Sequence, residues 1–320
     1  MKDKTVKQKI MYVYDKAGVL IILLLMMLIL SLMTDTFFTY RNLMNTVRQV
    51  TFWAMIGLGA MVCLVGGDFD LSPGSIVALT SILSAMTIKQ ELGGSIIIPF
   101  LVAVAVGLAV GIVNGVLIAY TGIPAFIATL GTQILLRGLA LYIANGRPVS
   151  NLDPKFNNLG GGSIGMIPIP VVFLIIMSLI TWYIMKYTRI GRHIYAIGGN
   201  AQAAMVSGVD VKKLKVLTYI YSGVTAAIAG MVLTARVASG NAGSGEGFEL
   251  KAIAGCVIGG VSLDGGIGSV YGVLCGIMVI GVLNNGMDLM NVSGYMQQIA
   301  QGIIIIGAVM LDVFRAKTAK

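Results

Sequence analysis

A chain of 320 residues with 57% hydrophobic positions, 11% charged positions and 42 glycines has a composition suited to lipid as solvent, which excludes an ordinary water-soluble domain. The formal charge of +9 does not point to nucleic acid, because the basic residues are spread among apolar segments and are not interleaved with stacking aromatics. Cys63, Cys256 and Cys275 sit in apolar surroundings without C-x-x-C spacing, which speaks for small core residues and against a disulfide framework or a metal site.

Apolar runs long enough to cross a hydrocarbon slab of roughly 30 Å recur along the chain, and no alternating ten-residue pattern suggests a barrel. The fold class is therefore all-α and polytopic, a single transmembrane domain over 1–320. Ten segments are expected, at 17–33, 50–66, 73–88, 96–120, 124–143, 169–185, 216–235, 252–262, 267–284 and 294–311. The first follows a basic start, but T-D-T-F-F-T-Y comes next rather than a small-residue cleavage site, so it reads as an uncleaved span.

After the second segment, G-G-D-F-D-L-S-P-G-S carries Asp68 and Asp70 up to Pro73, an allowed first-turn residue for the next helix. Two readings stand side by side. Ser72 and the acids cap and favour that helix start, or they do so and also wall a permeation route, since intramembrane carboxylates are costly unless paired or wetted. Asn114, Gln133, Asn284 and Asn285 place amides inside apolar helices, where they either bind helix to helix or offer hydrogen bonds to a polar substrate. Spacings such as Gly107, Gly111 and Gly115 argue for close helix packing.

Lys186 to Lys215 is the one long basic, polar interruption, with Lys186, Arg189, Arg192, Lys212, Lys213 and Lys215 around a short glycine-flanked amphipathic stretch. It reads as a cytoplasmic docking loop. His193 within it needs no function beyond solvation or loop packing. Further on, 236–251 is glycine-rich with Glu246 and Glu249, either a receiver for an external partner or a flexible connector. G-G-V-S-L-D-G-G-I-G, between the eighth and ninth segments, would break a helix, and such backbone survives at depth only inside protein or beside water. Broken or half helices follow.

With the start of the chain inside, five basic residues in the tail, six in the loop and three at the end place 14 of 22 on cytoplasmic segments. That asymmetry puts both termini in the cytoplasm and makes the span count even. The stretch from Gly111 to Gly131 echoes that from Gly281 to Gly302, pairing Asn114 with Asn284, so spans 4 and 5 would recur inverted as 9 and 10. A second echo, V-G-G-D-F-D-L-S against I-G-G-V-S-L-D-G, has a different offset, and the two do not define one repeat.

No G-x-x-x-x-G-K-[ST], H-E-x-x-H or G-x-S-x-G pattern is present. The chain therefore supplies neither nucleotide hydrolysis nor a catalytic residue, metal site or cofactor of its own.

The basic loop from Thr188 to Lys215, followed by Y-x-x-S-G-x-x-A-A-x-A-G from Tyr219, resembles the permease subunits of the ribose-type sugar ABC importers. The resemblance continues through G-F-E-L-K-A-I-A-G-C-V-I-G-G-V-S-L-D-G-G-I-G and L-N-N-G, and towards the start through G-G-D-F-D-L-S-P-G-S and A-F-I-A-T-L-G-T, so it covers nearly the whole chain. It implies a type II ABC importer fold in the bacterial inner membrane and a second permease copy or homologue. It also implies cytoplasmic ATPase subunits that hold ATP and magnesium, and a sugar-binding protein outside. Gln202, Ala203, Ala204 and Gly208 match the E-A-A-x-x-x-G coupling element of ABC importers, with Gln202 in place of the usual glutamate. Lys251 stands where the family commonly has aspartate, and Pro73 where it has a small apolar residue.

The expectation is an ATP-driven importer of ribose or a similar small sugar by alternating access, coupled through 186–215. Asp68, Asp70, Asn114, Asn284 and Asn285 are the translocation-path candidates. The same architecture also suits a permease for nucleosides or a signalling sugar. Other classes are an ion-coupled secondary transporter with Asp68 or Asp70 as proton carrier, and an intramembrane enzyme, which lacks convergent catalytic groups.

Overall fold

The computed structural model describes residues 6–89 and 96–318. Twelve helices lie among them: α1 (Val6–Met33), α2 (Tyr40–Val65), α3 (Pro73–Lys89), α4 (Ile97–Thr121), α5 (Ala125–Ile143), α6 (Pro154–Gly161), α7 (Ile169–Tyr187), α8 (Arg189–Val206), α9 (Val211–Val237), α10 (Phe248–Ile258), α11 (Val270–Leu289) and α12 (Gly294–Thr318). The all-helical expectation has one small exception, a hairpin of β1 (Ser163–Ile164) and β2 (Ile167–Pro168). Each of the ten expected segments holds a helix, but among the described residues six are long and apolar enough to cross a membrane: α2, α4, α5, α7, α9 and α11. α10 has 11 residues, about 16 Å at 1.5 Å per residue, roughly half the slab.

Helix starts follow capping chemistry rather than the edges of apolar runs. Thr39 accepts from the Asn42 amide and starts α2 at Tyr40, ten residues before the expected start, because its polar first turns carry Arg41, Asn42, Asn45 and Arg48. Asp210 accepts from the Lys213 amide and starts α9 before the apolar run. Ser269 does the same for α11 through Gly272.

α9 is the central post, packed on α2, α3 and α4. Gly107, Gly111 and Gly115 of α4 press against Val224, Ile220 and Val216 of α9, where an added Cβ would stand 2.6, 2.5 and 2.6 Å from backbone atoms. Rising numbers on α4 meet falling numbers on α9, so the two helices are antiparallel. The expected small-residue contact is thus a backbone-to-backbone seam. α2 packs on α9 as well, and its apolar side chains Met55, Leu58, Met61 and Leu64 are fully enclosed. By contrast α1, α5 and α7 turn large side chains such as Leu24, Ile134, Leu135 and Leu179 outward, the surface of a protein dissolved in lipid. Cys63, Cys256 and Cys275 are free and buried.

Two helices start deep inside. The chain leaves α2 at Gly66, beside Thr218 of α9, and runs back non-helically to Ser72. α3 then begins alongside the middle of α9 and runs parallel to it. Val77 lies against Gly230, and Ser81 Oγ accepts from Thr234 Oγ1 at 2.8 Å. After α9 the chain folds back in the same way: Gly240 passes Ser81 and Ala85, Gly245 reaches Gly74 and Val77, and α10 starts at Phe248. The beginnings of α3 and α10 therefore meet in the interior at Gly74 and Glu249. A Cβ on Gly74 would fall 2.0 Å from Glu249 Oε2 and 2.5 Å from the Gly245 carbonyl, so only glycine permits the approach.

Candidate functional site

Around this junction lies a buried polar centre. Asp70 Oδ1 accepts from the Ser72 amide at 3.0 Å and from Ser72 Oγ at 2.6 Å. Asn114 of α4 donates to Ser72 Oγ at 3.0 Å and accepts from Thr132 of α5 at 2.6 Å. On the other side, Gln133 of α5 donates to Glu249 Oε1 at 2.9 Å. Arg137 one turn further donates to the carbonyls of Ala242, Ser244 and Gly74. α5 is thereby tied by side chains to both α3 and α10. These partners satisfy donors that would be costly if left alone in lipid.

The five path candidates do not converge. Asp70 and Asn114 meet through Ser72. Asp68 points toward the basic loop and pairs with Lys215 Nζ at 2.9 Å, while Tyr219 OH fixes the Phe69 carbonyl between the two acids at 3.0 Å. Asn285 and Asn42 exchange reciprocal amide bonds at 2.9 and 2.8 Å, joining α11 to the first turn of α2, and Asn284 accepts from Gln301 of α12 at 3.0 Å. These last two sit at the end of the molecule away from the basic loop and bind helix to helix. The sequence reading singled out Gln133 only as an amide in an apolar helix and noted Arg137 within a span without giving it a role. Its signal was a basic residue with no nearby acid in an apolar segment, which needs carbonyl partners.

The basic loop folds as α8, which is broken at Asn200 (φ −161°, ψ 101°). Its first half is built into the protein. Gly191 lies on Met185, and Gly198 lies where a Cβ would stand 1.8 Å from the Val65 carbonyl and 2.5 Å from the Gly266 amide. Gly266 N in turn donates to Val65 O at 2.8 Å, and Tyr195 OH donates to Gly268 O at 2.7 Å. The end of α2, the root of α8 and the loop entering α11 thus share one backbone junction, and through α10 that loop leads to the deep contact at Gly74.

The second half restarts when Asn200 Oδ1 accepts from the Ala203 amide at 2.9 Å, and it ends at Gly208, whose φ of +86° favours glycine. Gln202, Ala203 and Gly208 are exposed and Ala204 faces the core. Met205 and Val206 protrude beside them, 61% and 90% exposed. Sequence reasoning did not single these two out, although an apolar pair at the uncharged tip of a basic loop is such a signal.

Long apolar helices around two shorter ones, α3 and α10, that meet start to start, with a separate exposed helix on one face, define a multi-pass α-helical membrane protein built on the plan of a transport permease. The chain belongs to the family described as branched-chain amino acid transport system / permease component, whose profile matches residues 42–309. It is similar to the ribose import permease protein of Haemophilus influenzae, 39% identical over 297 residues that cover 91% of each chain. It is 40% identical to the D-allose transport system permease protein of Escherichia coli over 304 residues, 93% of this chain and 92% of the relative. The L-arabinose transport system permease protein of the same organism is 34% identical over 308 residues, 96% of this chain and 93% of the relative. No solved structure matches the chain.

Proposed function

We propose that this chain is the membrane-spanning subunit of an ATP-driven importer that moves ribose or a similar small sugar across the bacterial inner membrane by alternating access. The observation that carries the reading is likeness to sugar permeases along more than nine-tenths of both chains. An exposed, charge-poor helical tip at 201–206 adds support. On this reading a cytoplasmic ATPase, with its ATP and magnesium, grips Gln202, Ala203, Met205, Val206 and Gly208. A soluble sugar-binding protein docks on the opposite face, and a second permease copy or homologue completes the pathway. Both termini and α8 lie in the cytoplasm. Asp70 and Asn114, with Gln133 and Arg137, stand beside the route, whereas Asp68, Asn284 and Asn285 hold its walls together.

About ten transmembrane helices, with the shorter α3 and the half-length α10 among them, and an inverted repeat of α2–α5 on α9–α12 belong to the same proposal. Its support is the packing. α3 lies on α9, α4 and α5 as α10 lies on α2, α11 and α12, and α4 lies on α9 as α11 lies on α2. Asn114 reaches from α4 to Thr132 as Asn284 reaches from α11 to Gln301.

Labelled ribose uptake into proteoliposomes holding the permease, its ATPase and its binding protein, with each component omitted in turn, tests the reading. Uptake that requires every component is the expected result. Uptake by the permease alone, driven by an ion gradient, would overturn it.

A further inference from the structure

Between α7 and α9, toward the basic-loop end, lies an apolar cleft of about 270 Å³. α7 packs mainly on α2 and α8, which leaves a gap along α9 floored by Val62 and walled by Ile184, Ile194, Leu217, Ile220 and Val224. Its polar lining atoms are already engaged. Thr181 Oγ1 bonds both Tyr221 OH and the Met177 carbonyl, and Thr188 Oγ1 bonds the Ile184 carbonyl and the Gly191 amide. The cleft therefore presents carbon, and its volume exceeds the roughly 150 Å³ at which an apolar cavity already takes up benzene. In a bilayer the available filler is an acyl chain.

The rim of the cleft points to the headgroup. Thr188, Ile190 and Ile194 bring the root of α8 over the end of the cleft, and the same turns carry the exposed cations Arg189 and Arg192, with Lys186 just before them. No acidic residue occurs from Thr181 to Val209. Exposed Trp182, Tyr183 and Tyr187 cluster at this level. Lys186 Nζ stands 5.3 Å from the Trp182 ring and 5.5 Å from the Tyr187 ring, the amphipathic chemistry of a membrane–water boundary. A carbon-lined cleft opening beneath a cationic, aromatic rim is complementary to a lipid with an anionic head.

We propose that this cleft is a binding site for one anionic phospholipid, its acyl chain between α7 and α9 and its phosphate on Arg189 and Arg192. The site is independent of which solute is carried. Because Ile190 and Ile194 belong to the root of α8, the bound lipid wedges the part of the loop that joins its exposed tip to the helices.

The test is native mass spectrometry of the full chain released from detergent with phosphatidylglycerol or with phosphatidylcholine of the same acyl chains. One phosphatidylglycerol per chain is expected to be retained, preferred about fivefold for each cation that faces it, the equivalent of about 1 kcal/mol per basic residue near an anionic head. Arg189→Gln with Arg192→Gln should reduce that preference to near unity, and Leu217→Trp, which fills the cleft, should abolish retention of either lipid. If the Trp variant fails to fold, photo-crosslinking of wild-type protein by a phosphatidylglycerol with a diazirine in its acyl chain serves instead, with labelled peptides expected from 181–194 and 217–224. Equal retention of the two lipids by wild type, labelling elsewhere, or a disulfide between copies carrying Ile190→Cys, which would mean that a second chain closes the cleft, overturns the proposal.

Discussion

The two halves of α8 follow each other without a gap in the chain, the first carrying Gly191, Gly198 and Gly199 and the second Ala201, Ala203 and Ala204, and they end in opposite environments. Between Arg189 and Gly199 the helix is part of the protein, with Gly198 against the Val65 carbonyl. Immediately after it Gly199 has nothing within 4 Å of where its Cβ would be. From Asn200 the backbone turns, and Met205 and Val206 stand clear. The difference teaches that the loop is a rigid root carrying an exposed tip. A force on the tip reaches the end of α2 and the loop into α11 through backbone contact, with no flexible side chain between.

The largest effect that breaks this comparison is Gly198→Val. Its side chain has no room beside two backbone segments, and overpacking of that kind costs typically 1–3 kcal/mol or more. We expect little folded protein in membranes, measured by detergent extraction and size-exclusion profile. Gly199→Ala beside it should extract like wild type, and equal behaviour of the two variants would contradict the root assignment.

A smaller effect is expected at Lys215, which neutralises the largely buried Asp68 just beyond α8. Lys215→Met leaves that carboxylate unpaired, at a cost of about 3 kcal/mol for a buried pair, so the thermal midpoint should fall. Asp68→Asn combined with Lys215→Met should recover part of the loss. A double variant as unstable as the single one would remove the pair from the account.

The smallest is at Asp210, which caps α9 in full solvent. The Lys213 amide, then the Lys213 ammonium, hold its carboxyl below the usual carboxylate range. A lowered folded-state pKa means the contribution is present above the unfolded value of about 3.9 and is lost as pH falls through the folded one. Asp210→Asn should therefore leave the thermal midpoint at pH 7 nearly unchanged and flatten its decline only below about pH 4.

Much of this arrangement was legible in the residues because lipid imposes few solutions. Each of the ten expected apolar segments holds a helix, six of them long and apolar enough to cross a membrane among the described residues, and the α4 glycines announced a close helix contact before its partner α9 could be named. The glycines around Asp264 marked a break. The depth at which α3 and α10 begin was not legible. A chain that folds back along α9 writes no periodic pattern, and Pro73 looks the same at a membrane surface as in the interior. The amides carried one signal with two meanings. Asn285 and Asn42 lie 243 residues apart in sequence, so only the folded chain shows that they satisfy each other while Asn114 joins the polar centre. The break at Asn200 was equally hidden, since one residue of ordinary extended backbone inside a helical stretch leaves no mark on the sequence pattern.

Substituting the exposed pair at the tip is the most direct test of the central claim, that α8 transmits work from an ATPase through a rigid root. With Met205→Asp and Val206→Asp, the account predicts wild-type extraction and thermal midpoint. In proteoliposomes with the ATPase and the binding protein, sugar uptake should fall by more than tenfold, an expected loss of over 1.4 kcal/mol in coupling. Full uptake in this variant, with normal stimulation of ATP hydrolysis by the loaded binding protein, would contradict it.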